Sequence, residues 1–171
     1  GRNLDPAWCT QQFWGDSFFY WAFFCENVGD AEAHFEADIR TSLLTLHLSA
    51  SGDAGPPVSQ VGKTTMLEAS PPPPSELPSW MTSEDLDYYE AAYGNSGFRG
   101  GLNWYRNIPT FLKDTDELEG HKIAQPSIFI TGSEDPVRKM TGGKTGGEHF
   151  EDLRSVHVID GPGHWVQLEA V

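Results

Sequence analysis

The segment from Ser96 to Asn107 places a tyrosine where a phenol could do chemistry. It reads Ser-Gly-Phe-Arg-Gly-Gly-Leu-Asn-Trp-Tyr-Arg-Asn, so Tyr105 lies between Trp104 and Arg106 in a short helical phrase. Because a phenol stays protonated up to about pH 10, Tyr105 can act as a buried hydrogen-bond donor. The alternative interpretation is a tyrosine that merely packs in a helix interface.

Two further polar side chains each follow a predicted strand. Asp135 comes shortly after the apolar run 127–131, and His164 comes shortly after the run 155–160. Catalytic groups collect at the carboxyl ends of parallel strands, so the two residues can meet there. The acid would accept the Nδ1–H of the histidine and leave its Nε2 free as a general base. Taken singly, such an aspartate is more often a helix cap and such a histidine is more often structural. Their order and context favour a pair.

The elements that must position these groups can be predicted from patterning. Apolar residues at three- and four-residue steps predict one amphipathic helix from Asp30 to about Ser49. Thr82 and Asp85 form a capping-box variant at the start of another helix. A second short helix begins near Arg99 and carries Tyr105.

The remaining segments are less regular. The aromatic-rich stretch from Phe13 to Phe24 has no clean period and is interpreted as buried and partly irregular. Residues 50–78, rich in proline and glycine, form a long loop. The runs 127–131 and 155–160 predict strands of a buried parallel sheet, with a weak helix near Glu148 to Leu153 between them. Two strands cannot make an independent sheet, so part of the sheet is expected to be missing.

Composition excludes several classes of partner. The chain has 11 basic and 25 acidic residues, a formal net charge of −14, which disfavours nucleic acid and anionic membrane surfaces. No apolar run approaches the roughly 18 residues needed to span a bilayer. Cys9 and Cys25 could pair, but reduced thiols in a cytoplasmic protein are expected. Since there is no initiator Met and no signal peptide, we expect the chain to begin partway through a longer protein.

The chain resembles the cap and C-terminal part of the epoxide hydrolases of the α/β-hydrolase fold. The resemblance is carried by segments 19–26, 30–33 and 80–107, by the Gly-Ser-Glu-Asp-Pro turn after the first strand, and by the Gly-His-Trp-Val-Gln-Leu-Glu turn at 163–169. It implies an α/β fold in which residues 1–108 form a helical cap, with the loop at 50–78. Residues 109–171 would form the C-terminal part of the core, with the last strands of its sheet. The N-terminal core half would be absent from this chain.

The resemblance also implies roles for individual residues. Tyr20 and Tyr105 would donate hydrogen bonds to the epoxide oxygen, while Asp135 and His164 would activate water. The substrate-binding positions would be aromatic and are Trp21, Phe24, Trp104 and Trp165. The implied partners are a small apolar epoxide and water, with no metal or cofactor. The substrate would be hydrolysed to a vicinal diol through an ester intermediate.

The family's nucleophile, an aspartate on an elbow after an earlier strand, is not found here. Asp53 lies in a Ser-Gly-Asp-Ala-Gly turn, but it follows a helix and precedes two prolines, so it is rejected. A serine elbow at Ser96 fails because Phe98 stands where the last glycine is needed. The chain alone is therefore expected to be inactive. Alternatives are an esterase or dehalogenase of the same fold, a non-catalytic fragment, or one half of a split hydrolase whose missing N-terminal half carries the nucleophile.

Overall fold

The computed structural model describes residues 14–26, 28–55, 59–144 and 146–171. Its helices are α1 (Tyr20–Glu26), α2 (Asp30–Glu36), α3 (Ile39–Ser49), α4 (Ser83–Ser96), α5 (Arg99–Arg106), α6 (Ile108–Asp114), α7 (Pro136–Met140) and α8 (Val166–Glu169), and its strands are β1 (Ser127–Gly132) and β2 (Leu153–Ile159). Cys9 and Phe13 lie outside the described residues, so the pairing of Cys9 with Cys25 is not tested.

The prediction of one helix from Asp30 to Ser49 is wrong in its continuity. Two helices, α2 and α3, divide this segment at residues 37–38. The physical reason is Asp38, whose extended backbone and side chain cap α3: its carboxylate accepts from the N–H of Thr41 at 3.0 Å. A residue that competes for backbone hydrogen bonds thus breaks a pattern that apolar periodicity alone leaves continuous.

The aromatic stretch is more regular than its sequence suggests. Its second half forms α1 from Tyr20, and Phe24 on this helix is buried. A segment of consecutive aromatic residues without an amphipathic period can still form a helix when neighbouring elements cover more than one face of that helix. The expectation of a partly irregular segment therefore holds for the described residues up to Phe19, and the segment is helical from Tyr20 onward.

The capping box at Thr82 and Asp85 is confirmed. The Thr82 hydroxyl accepts from the N–H of Asp85 at 3.1 Å, and the Asp85 carboxylate accepts from the N–H of Thr82 at 2.9 Å. The helix α4 ends at Ser96 and is capped by Gly97, which has a φ of 65° that favours glycine, and α5 begins at Arg99. The turn therefore allows α5 to change direction and bring Tyr105 toward α1.

The main apolar core lies among the cap helices. Its buried side chains are Phe24, Ala31, Phe35, Leu43, Leu44, Leu48, Met81, Leu86, Phe98 and Leu102. They come from α1 to α5 and from the segment before α4, so the cap is one packed unit. Between residues 50 and 78, the described positions contain no helix or strand, as expected of a loop, apart from an isolated bridge from Ser17 to Val61.

The strands β1 and β2 are parallel, as predicted, and Phe129 pairs with Val156 in their register. The expectation that they are buried is wrong for this chain. Apolar side chains on both strands are between 37 and 59% exposed: Ile128, Ile130, Val156, Val158 and Ile159. Both faces of a parallel sheet are buried only when other elements pack against each of them. Around these two strands such packing is incomplete.

The weak helix predicted near Glu148 to Leu153 is also wrong. A single 3₁₀ turn, Gly147–His149, precedes β2, which begins at Leu153. The division of the chain at residue 108 stays a prediction; Ile108 is the first residue of α6.

Candidate active site

Tyr20 and Tyr105 come together between α1 and α5. Their ring centroids lie 5.7 Å apart with the planes at 85°, an edge-to-face contact. Phe24 packs against both, at 5.5 Å from Tyr20 and 5.0 Å from Tyr105. Trp21 borders the same group, with its ring 6.3 Å from that of Tyr105. Two phenols from distant parts of the sequence thus share one aromatic cluster.

The environment of both phenols keeps them protonated. Burial raises the pKa of Tyr20 above its ordinary value, and the neighbouring Tyr105 raises it further. Burial likewise raises the pKa of Tyr105. Because the ordinary value is already about 10, both groups remain hydrogen-bond donors throughout the neutral range.

A buried ion pair fixes the helix that carries Tyr105. The guanidinium of Arg106 forms a bidentate salt bridge with the carboxylate of Glu32 in α2, with Nη1–Oε1 and Nη2–Oε2 distances of 2.5 and 2.8 Å. Its Nε donates to the backbone oxygen of Phe24 in α1 at 2.8 Å. Both charged side chains are only 11% exposed. One guanidinium therefore joins α5 to α1 and α2 and sets how the two tyrosines approach each other.

Replacing Glu32 with glutamine is expected to lower the free energy of unfolding by about 2–4 kcal/mol at neutral pH, because it leaves a buried guanidinium without its counter-charge. The bond from Arg106 lowers the pKa of Glu32 to about 2. A lowered folded-state pKa means that the pair stabilises the fold above the unfolded-state pKa and loses this effect as pH falls toward the folded value.

The difference in the free energy of unfolding between the wild type and Glu32→Gln should therefore shrink as the pH falls from about 5 to about 2. Urea titration across this range measures it. Glu26→Gln, an exposed carboxylate at the end of α1, is the matched control and should have little effect. A pH-independent difference would contradict the ion pair.

Asp135 and His164 meet at the carboxyl edge of the two strands. The Nδ1 of His164 lies 3.2 Å from Oδ1 of Asp135, and since a carboxylate only accepts, the ring nitrogen donates. Asp135 also caps α7, accepting from the N–H of Val137 at 2.8 Å. The helix-cap and acid interpretations are therefore both satisfied by one side chain. The imidazole is 40% exposed and its Nε2 is left for another partner, whereas the carboxylate is only 13% exposed.

The turn that carries His164 is packed backbone to backbone against the end of α3. The N–H of His164 donates to the oxygen of Ala50 at 2.8 Å. Gly163 has no room for a side chain: an added Cβ would lie 2.6 Å from the nitrogen of Gly52 and closer still to Ala50 and Ser51. Glycine at this position is thus required by close approach.

Gly163→Ala is expected to destabilise the fold by about 1–3 kcal/mol or more, because the methyl group must push the His164 turn away from residues 50–52. Gly100→Ala is the matched control. Gly100 lies in α5 with open space around it, so the same change there should be neutral or slightly stabilising. Thermal unfolding of the two variants measures the contrast, and equal effects would refute the tight packing.

The four predicted substrate-binding aromatics are placed differently from one another. Phe24 and Trp21 border the tyrosines, as described above. Trp165 packs on His47 of α3, with ring centroids 5.1 Å apart, and its Nε1 donates to the oxygen of His47 at 2.8 Å. Trp104 differs from the other three because it is 81% exposed, and its substrate-binding role stays a prediction. Neighbouring helix positions face about 100° apart, which places Trp104 on a different side of α5 from Tyr105.

Two further observations limit the site. The carboxylate of Asp53, rejected above as a nucleophile, accepts from the indole N–H of Trp80 at 2.9 Å. A cavity of about 260 Å³ lies away from the tyrosines, between α3, α4 and the loop that contains Leu77.

Across the described ranges, no helix is both long and apolar enough to cross a membrane.

Comparison with known proteins shows that the chain is similar to epoxide hydrolases. The chain is 36% identical to Epoxide hydrolase A of Mycobacterium tuberculosis over 98% of its own length, and 33% identical to Epoxide hydrolase 1 of Siraitia grosvenorii over 91%. Among solved structures it superposes on Epoxide Hydrolase A of Mycobacterium thermoresistibile with a TM-score of 0.85 and 34% identity, covering 98% of this chain. The chain is a relative of the α/β-hydrolase-fold epoxide hydrolases. No protein-family model matches it.

The epoxide hydrolase relationship covers nearly all of this chain but only part of each relative. The chain spans about half the length of the relatives it matches, 52% of the Mycobacterium tuberculosis protein and 53% of the Mycobacterium thermoresistibile structure. An epoxide hydrolase from an endophytic Streptomyces superposes with a TM-score of 0.86 and 30% identity, again over 52% of its length. This explains the architecture, a helical cap with the last strands of an α/β-hydrolase core.

The structure brings the four predicted catalytic residues together as two pairs, Tyr20 with Tyr105 and Asp135 with His164; their roles stay predictions. Sequence reasoning missed the Glu32–Arg106 pair, because its partners lie 74 residues apart with no local signal. It also assigned no role to Glu169, although this residue belongs to the His164 segment that carries the epoxide hydrolase resemblance.

Proposed function

We propose that this chain supplies the epoxide-activating tyrosines and the water-activating acid–histidine pair of an enzyme that hydrolyses an epoxide to a vicinal diol. The observation that carries the proposal is the contact between two half-buried, protonated phenols, Tyr20 and Tyr105. An oxygen that develops negative charge is stabilised by donors already in place, at about 10²–10³ in rate per donor.

In the first proposed step, an aspartate carboxylate outside this chain attacks one epoxide carbon. The carbon–oxygen bond breaks, an ester forms, and the ring oxygen takes up the electron pair while Tyr20 and Tyr105 donate hydrogen bonds to it. The alkoxide then takes a proton from one of these two phenols to become the first hydroxyl of the diol.

In the second step, Nε2 of His164 takes a proton from water, and the resulting hydroxide adds to the ester carbonyl. Asp135 accepts the Nδ1–H and stabilises the imidazolium that forms. Collapse of the tetrahedral intermediate expels the second diol oxygen, which takes the proton from the His164 imidazolium and becomes the second hydroxyl. The regenerated aspartic acid returns its own proton through solvent to the phenolate left by the first step, which restores the aspartate carboxylate. No metal or redox cofactor is needed for either step.

The exposed apolar faces of β1 and β2 support a sheet that continues beyond these two strands. In the proposal, a core half that carries the aspartate elbow covers them and completes the site. The low cysteine content favours a cytoplasmic setting for the whole protein.

The test joins this chain to the N-terminal core half of its Mycobacterium tuberculosis relative and offers the product an aryl epoxide and an aryl ester. Diol formation that depends on both halves, with little ester cleavage, is the expected result. Ester cleavage without diol formation would favour another hydrolase of the same fold, since ester cleavage builds no charge on an epoxide oxygen.

A further inference from the structure

We infer that Glu169 is a positioning residue for His164, acting through the backbone of the turn that carries this histidine. The inference rests on the proposed function for its catalytic consequence. Its structural basis is a set of hydrogen bonds that the proposed chemistry itself does not use.

The Glu169 carboxylate, at the end of α8, folds back onto the His164 turn. Its Oε2 accepts from the N–H of Gly163 at 2.8 Å, and its Oε1 accepts from the N–H of Trp165 at 3.0 Å. The residues on both sides of the histidine are therefore held by one side chain. The N–H of His164 itself is held by Ala50, so three successive backbone donors have fixed partners.

The same carboxylate ties this turn to the end of the cap helix α3. Its Oε2 also accepts from the N–H of Gly52 at 2.7 Å. An added Cβ on Gly52 would collide with the backbone oxygen of Gly161, so the two segments meet without intervening side chains. Glu169 thus sets the distance between residues 50–52 and the histidine turn.

The acid side of the pair is linked to the same turn. The N–H of Glu134 donates to the oxygen of Pro162 at 3.0 Å, and the N–H of Gly161 donates to Oγ of Ser133 at 3.0 Å. With the turn fixed by Glu169 on one side and by the Asp135 loop on the other, the imidazole is directed at Oδ1 of Asp135. Loss of either support would widen the range of ring orientations.

A carboxylate is required here because three N–H donors share two oxygens. A glutamine has one acceptor oxygen and one amino group, and the amino group would face an N–H donor whichever way the amide is turned. Glu169→Gln is therefore a nearly isosteric change that must leave at least one of the three backbone donors without a partner.

The first measurement is amide hydrogen exchange and imidazole NMR on the full 171-residue chain. In Glu169→Gln, exchange at Gly52, Gly163 and Trp165 should become at least about tenfold faster, and the Nδ1–H signal of His164 should lose its protection. Glu148→Gln, which removes an exposed carboxylate, is the charge-matched control and should change neither. Unchanged exchange at these amides would overturn the inference.

The second measurement separates the two half-reactions in the joined protein described above. Glu169→Gln should slow hydrolysis of the ester by about 10-fold to 100-fold, while epoxide opening changes less than about twofold. A general loss of structure would slow both steps equally, and that result would refute a positioning role. If Glu169→Gln fails to fold, Glu169→Asp serves instead, since its shorter side chain cannot span all three donors.

Failure of the proposed function is separable from failure of this inference. If the wild-type joined protein forms no diol, the proposed function fails, and the exchange and NMR results alone decide whether Glu169 holds the His164 turn. If diol forms and Glu169→Gln hydrolyses the ester at the wild-type rate, the positioning role fails and the proposed function stands.

Discussion

Replacing Tyr105 with phenylalanine is expected to slow epoxide opening by about 10²–10³-fold, because one of two donors to the developing alkoxide is lost. The fold should be retained, since the phenylalanine ring can keep the packing that the Tyr105 ring makes with Tyr20 and Phe24, where the ring centroids lie 5.7 and 5.0 Å apart. Single-turnover kinetics of the joined protein measure the opening step directly.

The matched control is Tyr88→Phe. Tyr88 is 73% exposed on α4, so removing its hydroxyl should leave the opening rate unchanged. A Tyr105→Phe variant that opens the epoxide as fast as the wild type would refute the role of this phenol. A parallel loss of ester hydrolysis would instead indicate general damage to the site.

The second large effect is expected for His164→Gln, which removes the proposed base while retaining a polar side chain. Epoxide opening should proceed once per site, and turnover should then fall by about 10²–10⁴-fold as the ester persists. A burst of epoxide consumption of one equivalent per site, followed by a slow phase, is the kinetic signature.

His121→Gln is the control for this variant, because His121 is exposed and lies outside both pairs. It should show normal turnover with no burst. Normal turnover in His164→Gln would remove this histidine from the mechanism. Loss of the burst itself would show that His164 is needed before the ester forms.

Local features of the fold were predictable where a short stretch of chain determines them. The capping box at Thr82 depends on two residues three positions apart. The turn at Gly97 depends on a single glycine, which can adopt the positive φ that the turn requires. Periodicity predicted the helical content of residues 30–49, but not the break at Asp38, where a side-chain cap competes with helix continuation. The burial of β1 and β2 was overestimated because an apolar composition indicates that a strand is suited to burial, but it does not show whether other elements of the chain cover that strand.

The candidate site divides in the same way. Asp135 and His164 were predictable as a pair because strand ends in a parallel sheet converge, and the 3.2 Å contact follows from that topology. The packing of Tyr20 on Tyr105 was predicted only through family resemblance. The Glu32–Arg106 pair and the bonds of Glu169 connect residues across the fold, and only the tertiary structure shows them.

In the proposed mechanism, this chain supplies the activating groups and another segment supplies the nucleophile. The most direct measurement is mass mapping of the adduct trapped when the His164→Gln joined protein meets an epoxide. The expected result is one epoxide equivalent on an aspartate in the N-terminal core half and none on residues of this chain. An adduct on Asp53, or on any other carboxylate of this chain, would contradict a nucleophile located outside this chain.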